Sequence, residues 1–465
     1  MFKSQNRMKL SFLLLSWCVL VPIFPAAAAS AEAPSPVRLM TLDPGHFHAG
    51  LLQKTMYPQV DPTVYVYAPD SDDVLEHLKR ISSYNHRADH PTGWREQIYI
   101  GPDYFERMLR EKPGNAVVIS GNNLRKTEYI KAIVDSGLNV FADKPMAIDP
   151  AGFELLKQAF AVAHEKGVIL YDIMTERSEI MTVLQREFSL LPEIFGQLET
   201  GTDENPAVAM ESVHFYYKYV SGSALKRPAW FFDVRQQGEG MVDVGTHLVD
   251  LVQWECFPEQ ALDYAKDIQV LSARHWPTRL TAAEFNTVTG LSGFPDFLKD
   301  SVQDGVLSDY ANGEINYIIK GIHARVTARW EYKAPDGCGD THFSILRGSK
   351  CDLVIRQGAE QGYQPTLFIE PLPGTDLAAF AKTLAAGLVK IQAKYPGIAL
   401  KPLAGTWQMV VPVKYDVGHE AHFAEVTGRF LQYLASGRLP DWEEPDMLAK
   451  YYTTTRALEL ARQHE

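Results

Sequence analysis

Cysteine is scarce in this chain of 465 residues, which holds four: Cys18, Cys256, Cys338 and Cys351. None sits in a C-x-x-C pair, which excludes a zinc ribbon and a disulfide framework. The sequence leaves a Cys338–Cys351 bridge open. Runs of basic charge are also missing. The net charge is −12 with both signs interspersed, which excludes nucleic acid and anionic membrane as partners, since both demand basic surfaces. There is no repeat of 20–50 residues. One long apolar run exists, Leu10 to Phe24, and it is short for a span of about 20 residues. Lys3, Arg7 and Lys9 precede it and PAAAASAEA follows, the pattern of a secretory signal peptide over residues 1–31, cleaved after Ala29 or Ala31. Trp17 is too bulky for a lipobox ahead of Cys18, and no Arg-Arg pair supports a twin-arginine route. The expected place of the mature chain is periplasmic or secreted, with no membrane contact after cleavage.

What the chain does have is ordinary globular composition, 46% hydrophobic and 22% charged, and a length that implies two domains. Residues 37–172 alternate short apolar runs (VRLMTL, TVYVYA, AVVIS, NVFA, VILYDI) with helical patterns at Asp72–Arg80, Tyr104–Arg110, Lys126–Ser136 and Phe153–Glu165. That alternation predicts an α/β domain with a doubly wound parallel sheet and a ligand crevice at the strands' carboxyl ends. Gly137 suits a left-handed helix end. Residues 173–465 read as an α+β domain with a large, mostly antiparallel sheet, whose exposed face offers a homo-oligomer surface. Helices are expected at Leu377–Lys394, at Ala421–Ala435 and from about Pro445.

Two segments carry the chemistry. FADKPMAID places Lys144 at a strand end, held extended by Pro145. GEGMVDVGTHLVDLVQW places Asp243 one helical turn from His247, with Thr246 as the expected N-cap and His247, Asp250 and Trp254 on one face. A carboxylate beside an imidazole is what general base chemistry needs. A β/α domain, a strand-end Lys-Pro and a later D-x-G-x-H resemble the Gfo/Idh/MocA oxidoreductases. The motif-level match covers about residues 37–255. The resemblance implies a Rossmann-like first domain and a catalytic set of Lys144, Asp243 and His247, with Asp143 in place of the usual glutamate. His247 would take a proton from a substrate C–OH while hydride leaves the same carbon.

The turn TLDPGHFHAG, Thr41 to Gly50, departs from that family. Against G-x-G-x-x-G, the glycine positions fall on Asp43, Gly45 and His48, so only the middle glycine survives. A helical stretch, Leu51–Met56, is expected after it. Asp70, after the second strand, stands where a ribose hydroxyl would be bound, and no arginine replaces it, which favours NAD over NADP. Carried over, the nucleotide's neighbours are Gly45, His46, His48, Asp70, Asn122, Asp143, Lys144 and Pro145. Asp43, His46 and His48 also form D-x-x-H-x-H, an alternative metal set for a hydrolase, although the later strands of a metal-hydrolase barrel are not evident.

The expected substrate is a carbohydrate, with Tyr217, Lys218, Arg227, Trp230, His419 and His422 as candidate neighbours. The reading is an exported NAD(P)-dependent oxidoreductase acting on a sugar or sugar derivative by hydride transfer at a C–OH. Because free NAD is scarce outside the cytoplasm, a redox-neutral, lyase-like cycle is the first alternative. A noncatalytic sugar-binding descendant is another.

Overall fold

The computed structural model describes residues 36–220 and 223–463. The expected signal segment, residues 1–31, lies outside them. The apolar runs of the first half become parallel strands: β1 (Leu39–Leu42), β2 (Thr63–Ala68), β3 (Arg95–Ile100), β4 (Ala116–Ile119), β5 (Asn139–Asp143) and β6 (Leu170–Ile173). They form one sheet in the order β3-β2-β1-β4-β5-β6. Strands β1, β4 and β6 are buried at every position, as a sheet covered on both faces requires. Helices α1 (His48–Leu51), α2 (Asp72–His86), α3 (Tyr104–Glu111), α4 (Lys126–Asp135) and α5 (Pro150–Lys166) make the crossovers. The strand order reverses between β1 and β4, so the crevice opens beside the β1 turn.

Two local expectations differ from the structure. Strand β3 has no clear sequence signal: REQIYI is mostly polar and lies at the sheet edge, with Ile98 half exposed. Helix α1 is a single turn at His48–Leu51, not a helix over Leu51–Met56. Gly137 does close α4 with φ of 75°.

The second half forms a ten-stranded mixed sheet. Its centre pairs Val208–Tyr217 in parallel with Ile322–Lys333 and antiparallel with Thr341–Arg347. The long strands Ile268–Thr281 and Val306–Ile319 form one side. Helix Val244–Cys256 packs on this sheet through Leu248, Val249 and Val252. The last two helices, His419–Ser436 and Glu443–Arg462, return to the first sheet, where Phe430 stacks on Phe141 at 4.3 Å.

A buried ionic network ties the layers together at the site. Lys450 bridges Asp172 of β6 and Asp250 of the Val244–Cys256 helix, at 2.7 Å each. Arg177 grips Asp250 through two nitrogens, at 2.6 and 2.7 Å. Asp250, expected to share a face with His247, therefore serves this network. The thiols of Cys256, Cys338 and Cys351 are all free, so no Cys338–Cys351 bridge forms.

Candidate active site

Lys144 follows the last residue of β5, and its peptide bond to Pro145 is cis. Its Nζ donates to Asp243 Oδ1 at 2.6 Å, with both side chains nearly buried. Asp243 is the N-cap of the Val244–Cys256 helix, not Thr246. Thr246 lies inside the first turn, where its hydroxyl donates to the Val242 carbonyl. Burial alone would raise the Asp243 carboxyl, but the Lys144 ammonium and its hydrogen bond hold it below the usual range. His247 follows one turn later. Burial, reinforced by Lys144, pushes its pKa down to about 3, so the ring is neutral, and its Nδ1 has no partner. The expected catalytic set thus stands together around one cavity of about 1130 Å³.

The cavity also gathers residues that no sequence motif marked. Glu176, just past β6, has its Oε1 3.8 Å from His419 Nε2. Burial would raise Glu176, but His247, His419, His422 and His342 bring its carboxyl down to about 2. His214 and Lys218 both pair with Asp340, His214 at 3.0 Å. His214 and His342 come from neighbouring strands of the second sheet, and the only signal in the sequence was their place in alternating strands. Of the expected substrate residues, Lys218, Arg227, His419 and His422 line the cavity. Arg227 is fixed there by bonds to the Phe215 and Tyr216 carbonyls and by packing against the Phe231 and Trp330 rings. Tyr217 does not line the cavity; its hydroxyl lies 3.3 Å from that of Tyr219, which does.

Trp230 is the largest displacement from expectation. It leaves the substrate side and donates Nε1–H to Asp73 of α2, at 2.8 Å. A Cβ on Gly45 would come within 3.1 Å of Asp73 and 3.2 Å of the Trp230 ring. Asn122 turns to Gln236 at 2.6 Å, and Asp70 is exposed at the end of β2; neither lines the cavity.

These contacts decide whether a dinucleotide fits. The middle glycine's task is to let a pyrophosphate approach the backbone. Here Trp230 and Asp73 cover it. Asp43 sits beside it at φ 45°, its carboxyl raised to about 6 by burial and by Asp73. The His46 N–H is used by the Ser120 carbonyl, and Pro44 has none to offer. Two carboxylates and a covering indole do not fit a pyrophosphate.

The metal set of Asp43, His46 and His48 is not formed either. Both imidazoles turn to Asp143, and the group of ligand atoms they form with it does not include Asp43.

Residues 184–462 match the family described as "Putative oxidoreductase C terminal domain". A solved structure described as a "putative oxidoreductase" from Parabacteroides merdae is 56% identical, covering 93% of this chain and 99% of that one, with a TM-score of 0.91. This chain belongs to that oxidoreductase family. The resemblance to the Gfo/Idh/MocA oxidoreductases holds, and the chain is an enzyme of this class. Two more distant structures share its fold. GenD2 from gentamicin A biosynthesis, in complex with NAD, is 15% identical over 92% of this chain and 95% of that one, with a TM-score of 0.56. KijD10, a 3-ketoreductase from Actinomadura kijaniata in complex with NADP and TDP-benzene, is 15% identical over 91% of this chain and 98% of that one, with a TM-score of 0.54. No curated protein sequence matches the oxidoreductase.

Proposed function

We propose that this oxidoreductase acts outside the cytoplasm on a hydroxyl-bearing carbon of a sugar or sugar derivative. The observation that carries the reading is the Lys144–Asp243 pair with His247 one turn beyond, all on the cavity. Lys144 would donate a hydrogen bond to the reacting oxygen and stabilise negative charge as it develops there. His247 is neutral at working pH, so it can accept the hydroxyl proton. Asp243 keeps Lys144 aimed and balances its charge. Lys218, Arg227, Glu176 and the surrounding imidazoles supply the mixed donors and acceptors that a polyhydroxylated ligand needs.

The distant fold relatives in complex with NAD and NADP support a nicotinamide nucleotide as hydride partner, and the signal-like segment supports export. Gly121, Asn123 and Lys144 line the cavity together with Asp243 and His247. The covered β1 turn argues against the usual pyrophosphate seat, so the support from this chain's own residues is the proton chemistry of Lys144, Asp243 and His247. The neutral imidazoles of His342, His419 and His422 on the same cavity favour a redox-neutral, eliminating cycle as the second reading, because they add proton acceptors beside the first set.

The test is mass spectrometry of small molecules released from natively purified protein, followed by NAD(H) and NADP(H) titration and turnover of a sugar panel. Retained or bound nucleotide with sugar turnover supports the proposal. No nucleotide bound, and no redox change in any sugar, sinks it.

A further inference from the structure

The β1 turn has lost two glycines and gained two imidazoles at the cavity floor. His48 Nδ1 lies 3.0 Å and His46 Nδ1 3.3 Å from the same oxygen of Asp143, Oδ2. The three ligand atoms all lie within 4.8 Å of one another. Hydrogen bonding explains only part of this arrangement. His48 and the Ser120 hydroxyl, at 2.8 Å, bond to Oδ2. His46 Nδ1 is buried with no hydrogen-bond partner, and neither has Asp143 Oδ1, on a side chain that is 96% buried. A buried imidazole nitrogen left unmet, such as His46 Nδ1, costs about 1–3 kcal/mol, so something else must satisfy it.

A metal ion does so. Two ligands bound at about 2.0–2.1 Å to a tetrahedral ion lie roughly 3.3 Å apart, close to the two N···O separations seen here. The geometry points to His46, His48 and Asp143 as the site of one divalent transition-metal ion of the zinc type. Two imidazoles and a carboxylate select such an ion over magnesium or calcium, which prefer all-oxygen shells. Three protein ligands leave one position for a substrate oxygen or water, the arrangement of catalytic zinc ions and not of structural ones. The Ser120 hydroxyl on Asp143 is the kind of outer contact that orients a ligating carboxylate. The site lies one residue from Lys144, on the same cavity, and it uses Asp143 where the sequence had suggested Asp43. It requires no nucleotide and stands apart from the proposed function.

The test uses the full mature chain, stripped with a chelator and titrated with cobalt(II) and zinc(II). Visible cobalt bands and calorimetry report binding. The expected result is one equivalent of cobalt, displaced by zinc. Asp143→Asn and His46→Gln should each weaken binding by more than about 100-fold, the most that an outer-shell partner alone is worth. Asp43→Asn should leave affinity unchanged. His46 lies partly exposed at the cavity, so its variant remains informative should Asp143→Asn fold poorly. Absence of stoichiometric binding in the wild type overturns the site. So does binding that survives His46→Gln, or that is lost equally in Asp43→Asn. None of these readouts depends on sugar turnover or on NAD(P).

Discussion

Lys144 Nζ and Asp243 Oδ1 lie 2.6 Å apart, joining the end of β5 to the cap of the helix that carries His247. Both side chains are nearly buried, so each charge depends on the other. Removing one partner of a buried pair costs about 3–5 kcal/mol, because the remaining charge is left uncompensated. In the proposed roles, catalysis and stability are coupled at Lys144 and separable at His247, whose Nδ1 has no partner to lose.

That difference gives the first prediction. His247→Ala should lower sugar turnover by about 10²–10⁴-fold with little change in unfolding free energy. Lys144→Ala should lower turnover and also destabilise the protein. The double variant Lys144→Ala/Asp243→Asn should recover most of the stability and none of the activity. Urea unfolding of the three variants, alongside their rates, checks it; a Lys144→Ala protein as stable as wild type contradicts the buried pair.

Asp250 provides a test of the fold without touching the chemistry. It neutralises Arg177 and Lys450, both buried. Asp250→Ala should destabilise by about 3–5 kcal/mol. Asp250→Asn, which keeps a hydrogen-bond acceptor for Arg177 and Lys450 but not the charge, should cost less, and thermal melts of the two variants read the difference.

Asp43 makes a prediction in pH. Its carboxyl is raised from an ordinary value of 3.8 to about 6, chiefly by burial and then by Asp73. The raised value means the folded state holds the proton more tightly than the unfolded chain. Stability from this group is complete below the unfolded pKa and is lost as pH rises from about 4 to 6. The integrated loss is about 3 kcal/mol, at 1.36 kcal/mol per unit. Asn tolerates the positive φ at this position. Asp43→Asn should therefore melt above wild type at pH 8, with the gap closing toward pH 4. A constant gap over that range contradicts the buried carboxyl.

The sequence made the parallel sheet legible because β1, β4, β5 and β6 are short, largely apolar runs alternating with helical patterns, as a doubly covered sheet requires. Strand β3 was hidden because an edge strand half in water has no need of apolar residues. Lys144, Asp243 and His247 could be read because they lie in short motifs with fixed spacing. Glu176, Asp340, His214 and His342 could not, since only the packing of separate strands and helices brings them to one cavity. Trp230 was misplaced for a related reason: nearness in sequence to Arg227 suggested the substrate side, whereas Asp73, 157 residues away, holds its indole. The same limit hid the exchange of Asp43 for Asp143 beside the histidines.

The β1 turn can be tested by adding single methyl groups. A Cβ on Gly121 would lie 2.3 Å from the Asp43 carbonyl oxygen and 2.7 Å from the Gly45 nitrogen, both backbone atoms that cannot rotate away. Gly121→Ala should cost about 1–3 kcal/mol, the range for overpacking, and displace the turn that carries His46. A Cβ on Gly45 would meet Asp73 and Trp230, at 3.1 and 3.2 Å, where side chains can yield by tenths of an ångström. Gly45→Ala should cost less, yet more than zero, because the indole and the carboxylate already occupy the approach. If the turn were instead open for a pyrophosphate, a methyl on Gly45 would meet only water in the free protein. Its stability cost would vanish, while nucleotide affinity would fall. Urea unfolding of both variants, with NAD(H) titration of Gly45→Ala, separates the covered turn from the open one.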